Sequence, residues 1–518
     1  TGESPTAFDN YQDLALPESI QVMRVGANVD PTKLTPAARA ADAAAFAAEA
    51  AKLTTVGVAI APGGKTIVLS PVQTEVVGGA LRAKVNGTTG FVERALFGNA
   101  DAPSAYIVRL TGGIKKATRR ADGTPEELFT GAFREYSWDF SVSTTLDLIP
   151  PQITSVVPFP DGGQDTAAGV VGVPDQARNV IVQLNFNEAV DPTVTTGAIT
   201  AADIAAVPPT GFRHLAVTRD ATRLPGGFVM SNQYRTVEFT TDSACGQNTC
   251  GGTVYCLPGN AVLLSYAEAA PLEAGGPAGL PFSGVMDAAG NSLDGNGDAA
   301  AGGPGPAGTR RFDRGGTENA GASDSVQWQF ATNDTIDLTA PQILEVAHQL
   351  KNTGRVAYPG AINASLGDVE NVALAAPIEV QFSKLMSGNV TSLIGLSEAL
   401  GCNPTTGMGC LWFMSSAEHE DTGRDTDNTI DATRATIGHA TFRDVETGFD
   451  VPQYRVRVDS GVKDIYQNCM FSVADQSVTP PVPILDSSQW GPRGPIGGQT
   501  CVGAPNQERD IVTGQSCG

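Results

Sequence analysis

The stretch TIDLTAPQI, Thr335 to Ile343, has a near copy earlier in the chain, TLDLIPPQI, Thr145 to Ile153. The two copies set Asp147 and Asp337, and likewise Pro151 and Pro341, 190 residues apart, a domain-sized interval. Just ahead of each phrase lies an aromatic run, YSWDF and VQWQF, with Trp138 and Trp328 at the same 190-residue spacing. Period-2 alternation in W-x-F puts Trp and Phe on one face of a strand. Both Trp are therefore expected on inward faces and largely buried.

The repeat extends past the phrase. ARNVIVQLNFNEAVDPTV (Ala177 to Val194) and AAPIEVQFSKLMSGNV (Ala375 to Val390) share alternating apolar residues ending in Phe, then a polar residue and two more, then Val or Met followed by Asp or Ser. A shorter echo stands at Asn28-Val29-Asp30-Pro31-Thr32. Later, YIVRLTGGIKK (Tyr106 to Lys116) matches YRVRVDSGVKD (Tyr454 to Asp464), and SGVMDAAGN matches SGVKDIYQN, which aligns Asp287 with Asp464 and Asn291 with Asn468. Three units follow: residues 1–146, 147–336 and 337–476, with a tail at 477–518. Pro in each boundary phrase suits a linker that leads into an edge strand, because Pro cannot donate to a central ladder.

Composition favours the same architecture. A chain of 518 residues with 59 Gly and 34 Pro spread along it suits many short elements joined by turns. With 55 acidic against 33 basic side chains, the net charge of −22 repels nucleic acid and anionic lipid and attracts cations. No apolar run is long enough to span a membrane as a helix, so neither nucleic-acid binding nor membrane insertion is expected. The start, TGESPTAFDN, has neither the basic residues nor the apolar stretch of a signal peptide.

These landmarks together resemble the bacterial Ig-like domains of S-layer and other cell-surface proteins, whose pattern is D-x-x-P-P-x-I, a strand ending in F-[SN]-x-x-[MV]-[DS], G-V-x-D-x-x-x-N, and W-x-F. The second unit carries all four elements. The resemblance implies an all-β protein, three tandem antiparallel β-sandwiches, extracellular, acting as spacer, lattice or adhesion element. Short alternating strands with turn signals argue for the same sandwich on physical grounds. One segment departs from it: LTPAARAADAAAFAAEAAKL, Leu34 to Leu53, is rich in the best helix former and opens with Thr35-Pro36 in capping positions, so a helix inserted in the first unit is expected.

The eight cysteines are Cys245, Cys250, Cys256, Cys402, Cys410, Cys469, Cys501 and Cys517. They form no CxxC metal motif and the four His do not cluster near them. Disulfides in an oxidising compartment are the better reading, with the pairing open. The chain contains no G-x-S-x-G, HExxH, P-loop or dinucleotide fingerprint, and a non-enzymatic role is expected. For a metal, DAAGNSLDGNGDAAAG offers Asp294, Asn296 and Asp298 at alternate positions in a Gly-rich loop, with Asp287 and Asn291 nearby, an oxygen set suited to calcium. Turn formation by the Asp-Gly and Asn-Gly pairs is the competing explanation. A second acidic loop supplies Asp425, Asp427 and Asp431.

The functional expectation is an exported structural protein, the self-assembling subunit of a surface layer or filament. The alternative is an adhesin or carbohydrate-binding module, with a surface glycan as partner. SVTPPVPIL (Ser477 to Leu485) echoes DLTAPQIL, so Thr479, Pro480, Pro481, Ile484 and Leu485 are the expected donor-strand residues for head-to-tail strand addition.

Overall fold

The computed structural model describes residues 13–62, 65–85, 92–120, 122–129, 135–158, 176–248, 250–270, 284–300, 302–304, 310–311, 324–351, 353–359, 372–398, 411–412, 415–422, 432–442, 454–458, 461–470, 474–475, 482–483, 501–502 and 509–510. The protein is built from antiparallel sheets with a few short helices.

In the first unit, β1 (Ile20–Arg24), β4 (Ser104–Leu110) and β5 (Tyr136–Val142) form one sheet, and β2 (Val56–Ile60) pairs with β3 (Ile67–Pro71). The second unit has two five-stranded sheets. One runs β6 (Ile153–Val157), β7 (Val182–Phe186), β11 (Thr236–Thr241), β10 (Gly226–Ser231), β8 (Gly197–Ile199). The other centres on β9 (Leu215–Arg219), β12 (Ala261–Ala267) and β13 (Val326–Thr332), flanked by two-residue strands at 222–223 and 310–311. In β13 every second residue, Val326, Trp328, Phe330 and Thr332, is buried. The first three meet Leu263, Leu184, Phe239 and Val156 in one core, as two inward faces of alternating strands should.

The third unit keeps the order of the first four strands of the first of these sheets and adds one strand outside them. Its larger sheet is β15 (Gly354–Pro359), β14 (Ile343–Leu350), β16 (Ile378–Phe382), β20 (Ala432–His439), β19 (Ser415–Thr422); the smaller is β18 (Leu411–Trp412), β17 (Ile394–Glu398), β21 (Tyr454–Val458). Even the irregularities recur: β6 is bulged between Ile153 and Ser155, and β14 between Ile343 and Glu345. After the second strand pair, Asp191 accepts from Thr193 N, Ser387 from Asn389 N, and in the first unit Asp30 from Thr32 N, each capping a short helix.

Units are joined through apolar contact and a covalent bond. Leu385 and Ile465 of the third unit lie in the core of the second. Val194, Ala270 and Met286 of the second unit pack with Ala59, Val72, Ala83 and Val92 of the first. Cys250 and Cys469, with Cα atoms 5.8 Å apart, link the second unit to the third, while Cys245 and Cys256 close a local loop. Cys402, Cys410 and Cys517 lie outside the described residues, as does the side chain of Cys501.

Two expectations need correction. The Ala-rich segment is not one helix: a 3-10 turn at Pro31–Leu34 precedes α1 (Pro36–Ala41) and α2 (Ala43–Ala50). Asp42 breaks it by taking extended backbone angles and accepting a hydrogen bond from Ala45 N, so a residue that prefers caps ends one helix and starts the next. Thr35 caps α1, with Pro36 in the first turn.

The second correction concerns Trp138. Trp328 is 1% exposed, but Trp138 is 39% exposed. The strand and its inward face are as expected, since Phe140 and Val142 on the same side pack on Tyr106 and Val108. What differs is the cover. Trp328 lies under the end of β6, its Nε1 donating to Pro158 O at 3.1 Å, whereas among the described residues the segment leading into the first unit pairs through Leu14, which bridges Gly57 of β2 and forms no longer strand. Trp328→Ala should therefore cost about 3–5 kcal/mol, and Trp138→Ala under about 2 kcal/mol. Urea unfolding followed by circular dichroism checks the contrast, and equal losses would contradict it.

Candidate cation site

The matching Asp-x-x-x-Asn turns come first. In the second unit Asp287 Oδ1 accepts from Gly290 N at 2.6 Å and Asn291 N at 2.8 Å, and Asn291 Nδ2 donates to Asp287 Oδ2 at 2.7 Å. In the third, Asp464 Oδ1 accepts from Tyr466 N at 2.9 Å and Asn468 N at 2.8 Å. The turn needs a left-handed residue just before the Asn, and Gly290 (φ 95°) and Gln467 (φ 67°) supply it.

Each turn then grips the segment leading into its unit. Asn291 Nδ2 reaches Asp147 O at 3.2 Å and Ile149 O at 3.3 Å; Asn468 Nδ2 reaches Asp337 O at 2.9 Å and Thr339 O at 3.4 Å. The residue after the repeated Phe grips it too: Gln152 N donates to Asn187 Oδ1 at 2.8 Å, and Gln342 N to Ser383 Oγ at 2.9 Å. These atom-by-atom matches place Glu188 and Lys384 at equivalent positions.

At that position the charge is reversed. Lys384 Nζ lies 2.7 Å from Asp464 Oδ2 and 3.1 Å from Asp337 Oδ2, donates to Thr339 O at 2.8 Å, and stands 4.8 Å above the Tyr466 ring. One ammonium thus neutralises two carboxylates, one of them fully buried. In the second unit Glu188 faces Asp147 and Asp287 instead, with one oxygen from each carboxylate within 4.8 Å of the other two. Glu188 Oε1 is sealed from solvent and accepts no hydrogen bond. Burial, followed by the Asp287 and Asp147 charges, pushes the Glu188 carboxyl up to about 7 against the pull of Arg235. Burial likewise holds Asp287 above the usual range, although its hydrogen bonds from Asn291 and Gly290 oppose this.

Of the calcium candidates, Asp287 and Asn291 belong to this cluster. Asp294, Asn296 and Asp298 instead fold their own turn. Asp294 accepts from Gly297 N (2.6 Å), Ala299 N (2.9 Å) and Gln152 Nε2 (2.7 Å). Asn296 Oδ1 accepts from Asp298 N at 2.8 Å, and Asp298 Oδ1 from Ala300 N at 2.9 Å. Beside them Asp324, fully buried, accepts from Gly302 N and Gly303 N through Oδ2 while Oδ1 has no partner. Burial, with smaller contributions from Asp294 and Asp298, pushes its carboxyl up to about 6 against the hydrogen bonds from Gly302 and Gly303. Asp425, Asp427 and Asp431 lie outside the described residues. Sequence reasoning missed Asp147, Glu188 and Asp324; the signal for Glu188 was the Glu-to-Lys reversal between aligned strands.

The sequence matches no protein-family profile, and none of the curated proteins is similar to it.

A carboxyl raised in the folded state holds a proton that the unfolded chain has already released, so stability falls as pH rises. For Glu188 the window runs from 4.5 to about 7, and for Asp324 from 3.8 to about 6. In chelator, the wild type should lose more of its urea midpoint between about pH 4 and about pH 7 than the double variant Glu188→Gln with Asp324→Asn does. Wild-type and variant profiles that run parallel over this range would contradict the assignment, since the opposite contribution of His348, whose imidazole burial holds below its usual range, is common to both.

Proposed function

We propose that the chain is an exported structural protein, a subunit that assembles head to tail into a surface layer or filament. The observation that supports this reading is the uncovered face of the first unit. Trp138 occupies the position that Trp328 holds in the second unit, and there the end of β6 shuts the Trp away from water. Residues 477–485 repeat the wording that leads into β6 and β14. A strand of that kind from a neighbouring subunit, laid where β6 lies in the second unit, covers Trp138 and satisfies backbone groups at the same time.

A second incomplete edge fits the same scheme. β5 and β13 pair with β4 and β12, but among the described residues no strand pairs with the outer side of β21. Within the chain itself, Val482–Pro483 pairs with Ala474–Asp475 over two residues; Thr479, Pro480, Pro481, Ile484 and Leu485 lie outside the described residues. A contact from one end of a subunit to the other end of the next is heterologous, and unless it closes into a ring it propagates. The two disulfides suit an oxidising compartment.

Negative-stain imaging and sedimentation test the proposal. The full chain should form regular assemblies, deletion of 477–518 should leave folded monomers, and Trp138→Ala should weaken assembly without unfolding the chain. Assemblies that persist unchanged after the deletion would contradict strand addition by the tail. A chain that stays monomeric yet binds glycan would favour an adhesin.

A further inference from the structure

We infer that Asp147, Glu188 and Asp287 form a binding site for a divalent cation of the calcium class, which does in the second unit what the Lys384 ammonium does in the third. Two independent observations point to a cation. The sister unit places a positive charge between the two equivalent carboxylates, Asp337 and Asp464. In the second unit the side chain at that position brings a third carboxylate, one of whose oxygens is sealed from water and accepts nothing. Three carboxylates held this close repel one another unless one keeps its proton or a charge of opposite sign lies between them, and Arg235 offsets the charge on Glu188 only in part.

The donor set fits calcium better than a smaller or softer ion. All ligands are oxygen: the three carboxylates and the Ile149 carbonyl, the counterpart of the Thr339 carbonyl that accepts from Lys384. Asn291 orients the site, since its Nδ2 donates both to Asp287 Oδ2 and to the carbonyls of Asp147 and Ile149. Tyr466, which stands over the ammonium in the third unit, has the small Ala289 as its counterpart in the second.

The position of the site gives it a consequence. Asp147 lies on the segment between β5 and β6, so the ion fixes the path of the chain from the first unit into the second. The same turn meets the first unit through Arg94, whose Nη1 donates to Ala288 O at 3.2 Å. Calcium would thus stiffen the join between these units, a role independent of how subunits assemble.

Calorimetric titration of the full chain with Ca²⁺ at neutral pH, paired with melting in Ca²⁺ and in chelator, tests the inference. The wild type should bind with Kd on the order of 10⁻⁴ M or tighter and melt roughly 5 °C higher in saturating Ca²⁺. Glu188→Lys, which copies the third unit, should bind one equivalent fewer and melt in chelator at or above the wild-type temperature. Glu188→Gln should keep the fold and weaken this equivalent about tenfold or more, whereas Asp298→Ala should retain it. Overturning results are a wild type that binds no Ca²⁺ at millimolar concentration, a stoichiometry that Glu188→Lys leaves intact, an affinity that Glu188→Gln leaves unchanged, or loss of the ion in Asp298→Ala.

Discussion

The second and third units depend on one constraint: the extended segment that leads into each sandwich must be tied to a turn at its far end. The tie is a buried Asp-x-x-x-Asn turn whose Asn amide captures two carbonyls of that segment. Bringing the segment's own Asp beside the turn's buried Asp adds negative charge next to a carboxylate shut away from water, and that charge has to be balanced. The third unit balances it with Lys384. The second carries Glu188 in that place, a third carboxylate beside Asp147 and Asp287, and it is there that we infer an ion from solution supplies the balance.

The rest of the fold follows from these anchored segments. Once β6 and β14 are held, the bulge after their first residue and the pairing with β7 and β16 are reproduced in both units, and the Trp-bearing strand is closed over in the second. The second and third units share Leu385 and Ile465 in one core and are cross-linked by Cys250–Cys469, so they behave as neighbours with a built joint. The first unit is assembled differently. It sets the β2–β3 ribbon against a single three-stranded sheet, and the exposed Trp138 is the physical residue of that difference.

Much of this was legible in the sequence, for identifiable reasons. Alternation in VQWQF and in VQLNF announces strands because period 2 is a direct image of the pleat. The all-β class and the placement of Trp328 follow from it. Burial of Trp138 did not follow, because alternation reports which side a residue faces and says nothing about whether another sheet covers that side. The helix break at Asp42 was hidden by alanine content; a single capping residue outweighed the propensity of its neighbours. In the candidate site, Asp287 and Asn291 were visible in the repeated G-V-x-D-x-x-x-N phrase. Asp147 and Glu188 come from segments 140 and 99 residues away from Asp287 along the chain, and only the folded turn brings them together.

The central claim is that positions 188 and 384 are two solutions to one charge problem, an ion recruited from solution and an ion built into the side chain. The most direct measurement is the Ca²⁺ stoichiometry of Lys384→Glu beside that of the wild type, by calorimetric titration of the disulfide-intact chain. The account predicts one additional equivalent in the variant, together with lower stability in chelator that Ca²⁺ restores. An unchanged stoichiometry would contradict it.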